Sequence, residues 1–447
     1  MDPAAINSGA LPEATASRTP EASASKTAAD LAAIERGQPQ RLVVLDSLRG
    51  IAAFVAVIHH CLLTQPAFSD FFFSVWRTPA YTPVQYLLFH TPARIVWDGF
   101  EAVTFFYVLS GLVLMLPWAE HRPPRYGAFC IKRVCRIYLP YCAAIAIAVV
   151  PNMLLGHRSD IAEASQWVRT MAWSHPVTPA VLADHVLMLG QYNTVNGVIH
   201  SLVWEMRVSL LFPFLMLPLA RWRLRGAVAV AAGLVAFMAA VQLVVAQPGA
   251  GLGPVQAESG LSLMGLFLLE AQKTAYYAQF FVIGAVLALY LGQIRRLLTQ
   301  MPPSLRFALL IASLLIFQGH WTTMRQAQAI VVAFGSALVI AVSLSPGAIE
   351  RALLLRPLVF LGRISYSLYL VHVPFLLAAV LLLHEFMPIP LILVGVVPIS
   401  VVLGWLFHLT IAEPSIALGQ RLIKYLGRSA PRPPVSYKGV DAGTGNR

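Results

Sequence analysis

Residues 42–64 read Leu-Val-Val-Leu-Asp46-Ser-Leu-Arg49-Gly-Ile-Ala-Ala-Phe-Val-Ala-Val-Ile-His59-His60-Cys-Leu-Leu-Thr. As a helix these 23 residues rise about 35 Å, enough to cross a hydrocarbon layer of about 30 Å. Working outward from this first span, nine more apolar runs follow, at 98–117, 137–155, 201–220, 226–246, 274–292, 305–320, 327–345, 358–382 and 388–411, with Arg-rich or Pro/Gly-rich breaks between them. The 447-residue chain is 58% hydrophobic and 12% charged, where a soluble globular protein is about a quarter charged. The expected fold is all-α: a polytopic integral membrane protein with about ten transmembrane helices, the seventh the shortest.

The net charge of +12 would suit nucleic acid, but its placement points to a bilayer instead. With the N-terminus inside, 24 of the 32 Lys and Arg fall in inner segments or at the inner ends of spans, six in outer segments and two, Arg49 and Arg207, deeper within spans. That alternation predicts an N-in, C-in arrangement. Residues 1–40, rich in Ala, Ser, Pro and Glu, read as a disordered cytoplasmic tail. They do not read as a signal peptide, because the first apolar run begins too late. Residues 41–412 form the membrane domain, and 413–447 a cytoplasmic C-terminal tail, loose from Arg428 onward. The four cysteines make no C-x-x-C pair and no metal-ligand spacing, so they read as free thiols beside apolar helices. The long outer loops 65–97 and 156–200, aromatic and polar, suit a cap over an outward-facing site, although most long loops merely connect.

Ionisable side chains inside spans are costly and by default face a protein interior or a wet cavity. Here they are Asp46, Arg49, His59 and His60 in span one, Glu101 in span two, Glu205 and Arg207 in span four, and His372 in span nine. Eleven residues separate Arg49 from His60, three turns plus about 20°, so both share a face about 16 Å apart along the axis. Asp46 lies on that face, and His59 points roughly 100° away. Ser201, Glu205 and Ser209, spaced by four, share a face of span four. With Glu101 and His372 entering from the outer side, four ionisable residues on four helices are expected in one membrane layer. The bland alternative for each histidine is a helix–helix hydrogen bond. For Asp46 and Arg49 it is a mutual pair near the interface.

The stretch Leu45-Asp-Ser-Leu-Arg-Gly, with its Arg49-x10-His60 spacing, resembles the opening of the acyltransferase-3 family of membrane O-acyltransferases. Four further blocks follow in that family's order: Phe105-Phe-Tyr-Val-Leu-Ser-Gly111, Arg133-Val-Cys-Arg136-Ile-Tyr-Leu-Pro, Ser201-Leu-Val-Trp-Glu205, and Leu361-Gly-Arg-Ile-Ser-Tyr-Ser-Leu-Tyr-Leu-Val-His372. Together they cover about residues 41–412. The chain departs from the family pattern at Thr104, where an acidic residue is common (Glu101 is one turn away). It departs also at His200, commonly Trp, and at Met206-Arg207 after the glutamate.

The resemblance implies transfer of an acyl group, usually acetyl, from cytoplasmic acyl-CoA to a hydroxyl of a carbohydrate or glycoconjugate by a multi-pass protein of the plasma (inner) membrane. It implies His60 as general base or transient acyl carrier, with Glu205 orienting or charge-balancing it. Arg133 and Arg136 would bind donor phosphates, with Arg49 guiding the donor arm. His59, Glu101 and His372 are expected on the acceptor side. Without the family pattern, Arg133 and Arg136 read equally well as topology-setting charges. The expected cofactor is acetyl-CoA as donor substrate, with no metal, and the partners are the acceptor and the bilayer, not nucleic acid. The rival from another class is a solute or proton-coupled transporter using the same polar layer. No inverted repeat or paired broken helices favour it.

Overall fold

The structure, a computed structural model, describes residues 40–73, 82–156, 161, 164–173, 176–192, 194–245, 263–319 and 324–429. The expected disorder of residues 1–39 and the loose segment 430–447 lie outside these. By contacts the chain divides into residues 1–43, described only as the first turn of a helix at 40–43, and residues 44–447, which hold all the remaining elements.

The described residues form helices and no strands. In chain order the long helices are α1 (Gln40–Leu63), α2 (Gly99–Ala119), α3 (Tyr126–Leu155), α4 (His200–Trp222), α5 (Leu224–Val245), α6 (Leu263–Gln300), α7 (Pro303–Gln318), α8 (Arg325–Ser343), α9 (Arg356–Leu383), α10 (Ile389–Phe407) and α11 (Glu413–Ser429). Among the described residues nine helices are long and apolar enough to cross a membrane. The tenth, α7, has 16 residues and rises only about 24 Å. Ten apolar segments thus stand where the sequence places ten, the seventh being the short one. Helix α6, with 38 residues or about 57 Å, overhangs a bilayer at both ends. Its overhang carries Glu270 and Lys273 at one end and Arg295 and Arg296 at the other.

Burial sorts the helices. In α9, 67% of the apolar window is buried, whereas in α5 only 11% is, so α9 is central and α5 faces lipid. One core joins α1, α3, α4 and α9 through Val57, Tyr141, Ile199, Leu370 and Val373, and takes Trp167 and Trp173 from the loop after α3. Lipid supplies no hydrophobic drive between helices, so close approach depends on small residues. Gly111 and Gly284 let α2 and α6 cross in backbone contact, Gly111 against Phe281 and Gly284 against Val108. Gly50 and Gly362 do the same for α1 and α9: a Cβ on Gly362 would stand 2.5 Å from the Asp46 carbonyl carbon.

Residues 413 onward, expected as a tail, continue as helix α11 as far as Ser429. Gly419 seats it on α3, where an added Cβ would meet Cys135 Cβ at 2.8 Å. Leu418, Leu422, Tyr425 and Leu426 remain exposed beside Arg421 and Lys424, the pattern of a helix lying along a membrane surface.

Candidate active site

Helix α1 carries both halves of the site. From the Gly50–Gly362 crossing, α1 and α9 run the same way, and ten residues beyond each glycine lie His60 and His372. Equal rise from a shared crossing brings the two rings together, with centroids 5.1 Å apart and His372 Nε2 3.1 Å from His60 Nδ1. Of the four ionisable residues expected in one membrane layer, these two histidines are thus in contact.

The two long loops fold over that end. Ser165 Oγ donates to Leu63 O at 2.7 Å, capping the last carbonyls of α1, and Trp167 N donates to Ser69 Oγ at 2.9 Å. These bonds set Trp167, 4% exposed, with its ring 5.6 Å from that of His60. His59 turns away, as the 100° step requires. It stacks on Trp97 with centroids 5.7 Å apart and donates Nδ1–H to Trp97 O at 2.8 Å, and a Cβ on Gly99 would strike its ring. Its ring pins the loop before α2, and at 5% exposure it offers an acceptor little surface.

Glu101 lies at the same end, buried beside the Arg94–Asp98 ion pair of 2.9 Å. Asp98 caps α2 through Glu101 N at 3.4 Å. Burial pushes the Arg94 guanidinium down, and the Asp98 carboxylate beside it opposes that shift. Nothing in the sequence pattern flagged this pair.

Glu205 does not reach His60's partners. Its Oε1 accepts from Ser110 Oγ at 3.0 Å and from Arg133 Nη2 at 3.5 Å, and Arg133 also donates to Ser209 Oγ. The expectation that Glu205 orients His60 is thus replaced by a Glu205–Arg133 pair at the arginine-rich end. The reason is register: Ser201, Glu205 and Ser209 share a face, but Ser201 bonds Tyr369 Oη of α9 at 2.9 Å while Glu205, one turn on, bonds Ser110 and Arg133. Arg49, Arg133 and Arg136 lie within electrostatic range of one another, with Asp46 and Glu205 as the nearby anions. Three cations against two carboxylates leave a positive excess suited to an anion.

Arg133 immediately precedes a π-helical turn, Val134–Tyr138, inside α3, and Arg136 lies within that turn. Such turns are rare, free backbone carbonyls and recur at functional sites. Here Tyr366 Oη of α9 donates to Ile137 O at 2.8 Å. Tyr366→Phe should leave that carbonyl unpaired and cost about 1–3 kcal/mol, measured as thermal unfolding in detergent. Unchanged stability would mean that the carbonyl is satisfied otherwise.

A cavity of about 30 Å³, lined by Arg49, Tyr107, Ser201, Glu205, Tyr366 and Tyr369 among others, joins the arginine cluster to Tyr369. The Tyr369 ring lies 5.7 Å from that of His372. A larger cavity of about 350 Å³, walled by Leu48, Ala52, Val55, Phe105, Leu314 and Phe317, sits on the neighbouring face of α1 and is almost wholly apolar. The arrangement therefore holds a histidine pair towards one end of α1, a cationic cluster towards the other, and a narrow cavity between. Arg207, in span four, takes no part: it pairs with Glu270 at 2.7 Å and donates to Leu189 O at 2.8 Å, tying the second long loop to α4 and α6. Among the described residues no group of three His, Cys, Asp or Glu is placed to hold a metal ion.

Sequence reasoning passed over Ser110, Tyr366 and Tyr369, although each lies in a quoted block. Tyr366, Tyr369 and His372, spaced by three, were the available signal. A family model described as an acyltransferase domain matches residues 42–409. No curated protein and no solved structure matches the chain.

Proposed function

Because the chain belongs to the acyltransferase-3 family and is a multi-pass membrane acyltransferase, we propose that it moves an acetyl group from cytoplasmic acetyl-CoA to a hydroxyl of a carbohydrate or glycoconjugate. The observation that carries this reading is α1, which puts Arg49 in the cationic cluster and His60 in the histidine pair, about 16 Å apart along one axis. Donor phosphates bind Arg49, Arg133 and Arg136 from the cytoplasmic side of the inner membrane. The thioester reaches along the Tyr366–Tyr369 seam towards His60, and the acceptor approaches from the long-loop side near Glu101.

An alcohol is a poor nucleophile until its proton is taken. The hydroxyl oxygen attacks the thioester carbonyl while its proton passes to His60 Nε2. The C–S bond then breaks, the CoA sulfur leaves, and the proton returns to it. Glu205 balances Arg133 and is not a base in this scheme.

The test supplies radiolabelled acetyl-CoA and the producing cell's glycan fraction to membranes containing the protein. Label in glycan supports the reading. No transfer and no CoA release with several donors and acceptors would favour a transporter. Arg49→Gln is expected to raise KM for acetyl-CoA about 10- to 100-fold, the loss of one charge-assisted contact, while kcat changes little. An unchanged KM would remove Arg49 from donor binding.

A further inference from the structure

The proton on each histidine nitrogen follows from what it touches. His372 is 1% exposed, and its Nδ1 lies 3.1 Å from Leu368 O and 2.9 Å from Tyr369 O. Carbonyls only accept, so Nδ1 bears the proton, and the neutral ring leaves Nε2 as an acceptor. That Nε2 is 3.1 Å from His60 Nδ1, which is itself 2.8 Å from Ala56 O. With an acceptor on either side, His60 Nδ1 is N–H, shared between them. The bare nitrogen of His60 is then Nε2. Ala56 O, one turn back on the same helix, would favour this tautomer alone, but a single local bond leaves the ring free to rotate about χ2. The bond from α9 supplies a second point, and the Trp167 ring, 5.6 Å away, walls the ring from the loop.

Resting on the reading of His60 as base, we propose that His372 is a positioning residue that holds His60 in the Nδ1–H tautomer and aims its Nε2 at the acceptor hydroxyl. When the hydroxyl proton arrives on His60 Nε2, the imidazolium keeps its Nδ1–H bonded to His372 Nε2. No proton passes to His372, whose own N–H stays on the α9 carbonyls. This is the logic of a base oriented by a third group, with a neutral imidazole in place of a carboxylate. His372 thereby leaves the acceptor side, where the sequence pattern had put it: at 1% exposure with both nitrogens bonded, it has no atom left for substrate.

The test compares His372→Leu, His372→Gln and His372→Asn with wild type in membranes, at matched protein level and after thermal unfolding of each. The Gln amide oxygen can stand where Nε2 stands and accept from His60, without titrating. The Asn amide lies nearer Nδ1 and falls short. His372→Leu and His372→Asn are expected to lower kcat about 10- to 100-fold, with KM for acetyl-CoA within about twofold of wild type. His372→Gln should recover most of kcat. Wild-type kcat in His372→Leu would overturn the proposal. So would a His372→Gln variant that folds normally yet is as slow as His372→Asn, because a titrating imidazole would then be required. Should His372→Leu fail to fold, the Gln-to-Asn comparison decides alone. His60→Ala separates the two readings: activity there removes the base itself. Inactivity there with full activity in His372→Leu removes only the tautomer role.

Discussion

His60→Ala is expected to lower kcat for acyl transfer about 10²- to 10⁴-fold, the usual contribution of a positioned general base. Protein level and KM for acetyl-CoA should stay near wild type. His60 is half-buried among Ala56 O, His372 and Trp167, and its nearest cationic cluster is about 16 Å down the helix. Removing the ring therefore deletes the proton acceptor without touching the donor's phosphate contacts. The assay is initial rate against acetyl-CoA concentration at saturating acceptor. Full activity would keep the enzyme and sink this mechanism. A companion measurement separates base from acyl carrier: wild type given labelled donor and no acceptor is precipitated and counted. Label held on wild type but absent from His60→Ala would make the imidazole a carrier, with an acyl–nitrogen bond formed as the C–S bond breaks.

Gly362→Leu carries the second largest expected effect. A Cβ there would stand 2.5 Å from both the carbonyl carbon and the carbonyl oxygen of Asp46. These are backbone atoms, so the clash is relieved only if α1 and α9 part. Overpacking of this kind costs about 1–3 kcal/mol. The functional loss should be larger than the stability loss. The His60–His372 bond of 3.1 Å lies ten residues along from the crossing, and a displacement of about 1 Å can cost 10²-fold in rate. Gly362→Leu is thus expected to lose at least about 10²-fold in kcat while a fraction of the protein still folds, with Gly362→Ala intermediate. Thermal unfolding in detergent and specific activity per folded protein read the two effects apart. A Gly362→Leu variant of wild-type specific activity would show that the crossing does not set the histidine pair.

Much of this was legible in the chain. Span one announced its helix by length and apolarity alone, and a helix once granted has fixed geometry: 100° per residue puts Arg49 and His60 on one face and sends His59 aside. The structure places all three accordingly. Ten apolar runs produced ten helices, because in a bilayer a backbone must satisfy its own hydrogen bonds and has no other way across. Local rules reached less far at α11. A tail was expected from 413, loose from Arg428; the helix runs on to Ser429, with Gly419 seated against Cys135, a contact that local composition does not reveal.

Depth along a span is a property of one helix, and partnership is a property of two. Glu205 and His60 read as neighbours by depth, yet Glu205 meets Ser110 and Arg133 while His60 meets His372. What separates them is rotation and crossing, set by where glycines let backbones touch. The sequence by itself determined the spans, the face shared by Arg49 and His60, and the family to which the motifs belong, since each follows from a helix's own period or from short contiguous blocks. Only the tertiary structure decided that Glu205 pairs with Arg133, that His372 meets His60, and that Tyr366 bonds a carbonyl of the π-turn that holds Arg136. Those pairings join residues 72, 312 and 229 apart in the chain, and no local period reaches so far.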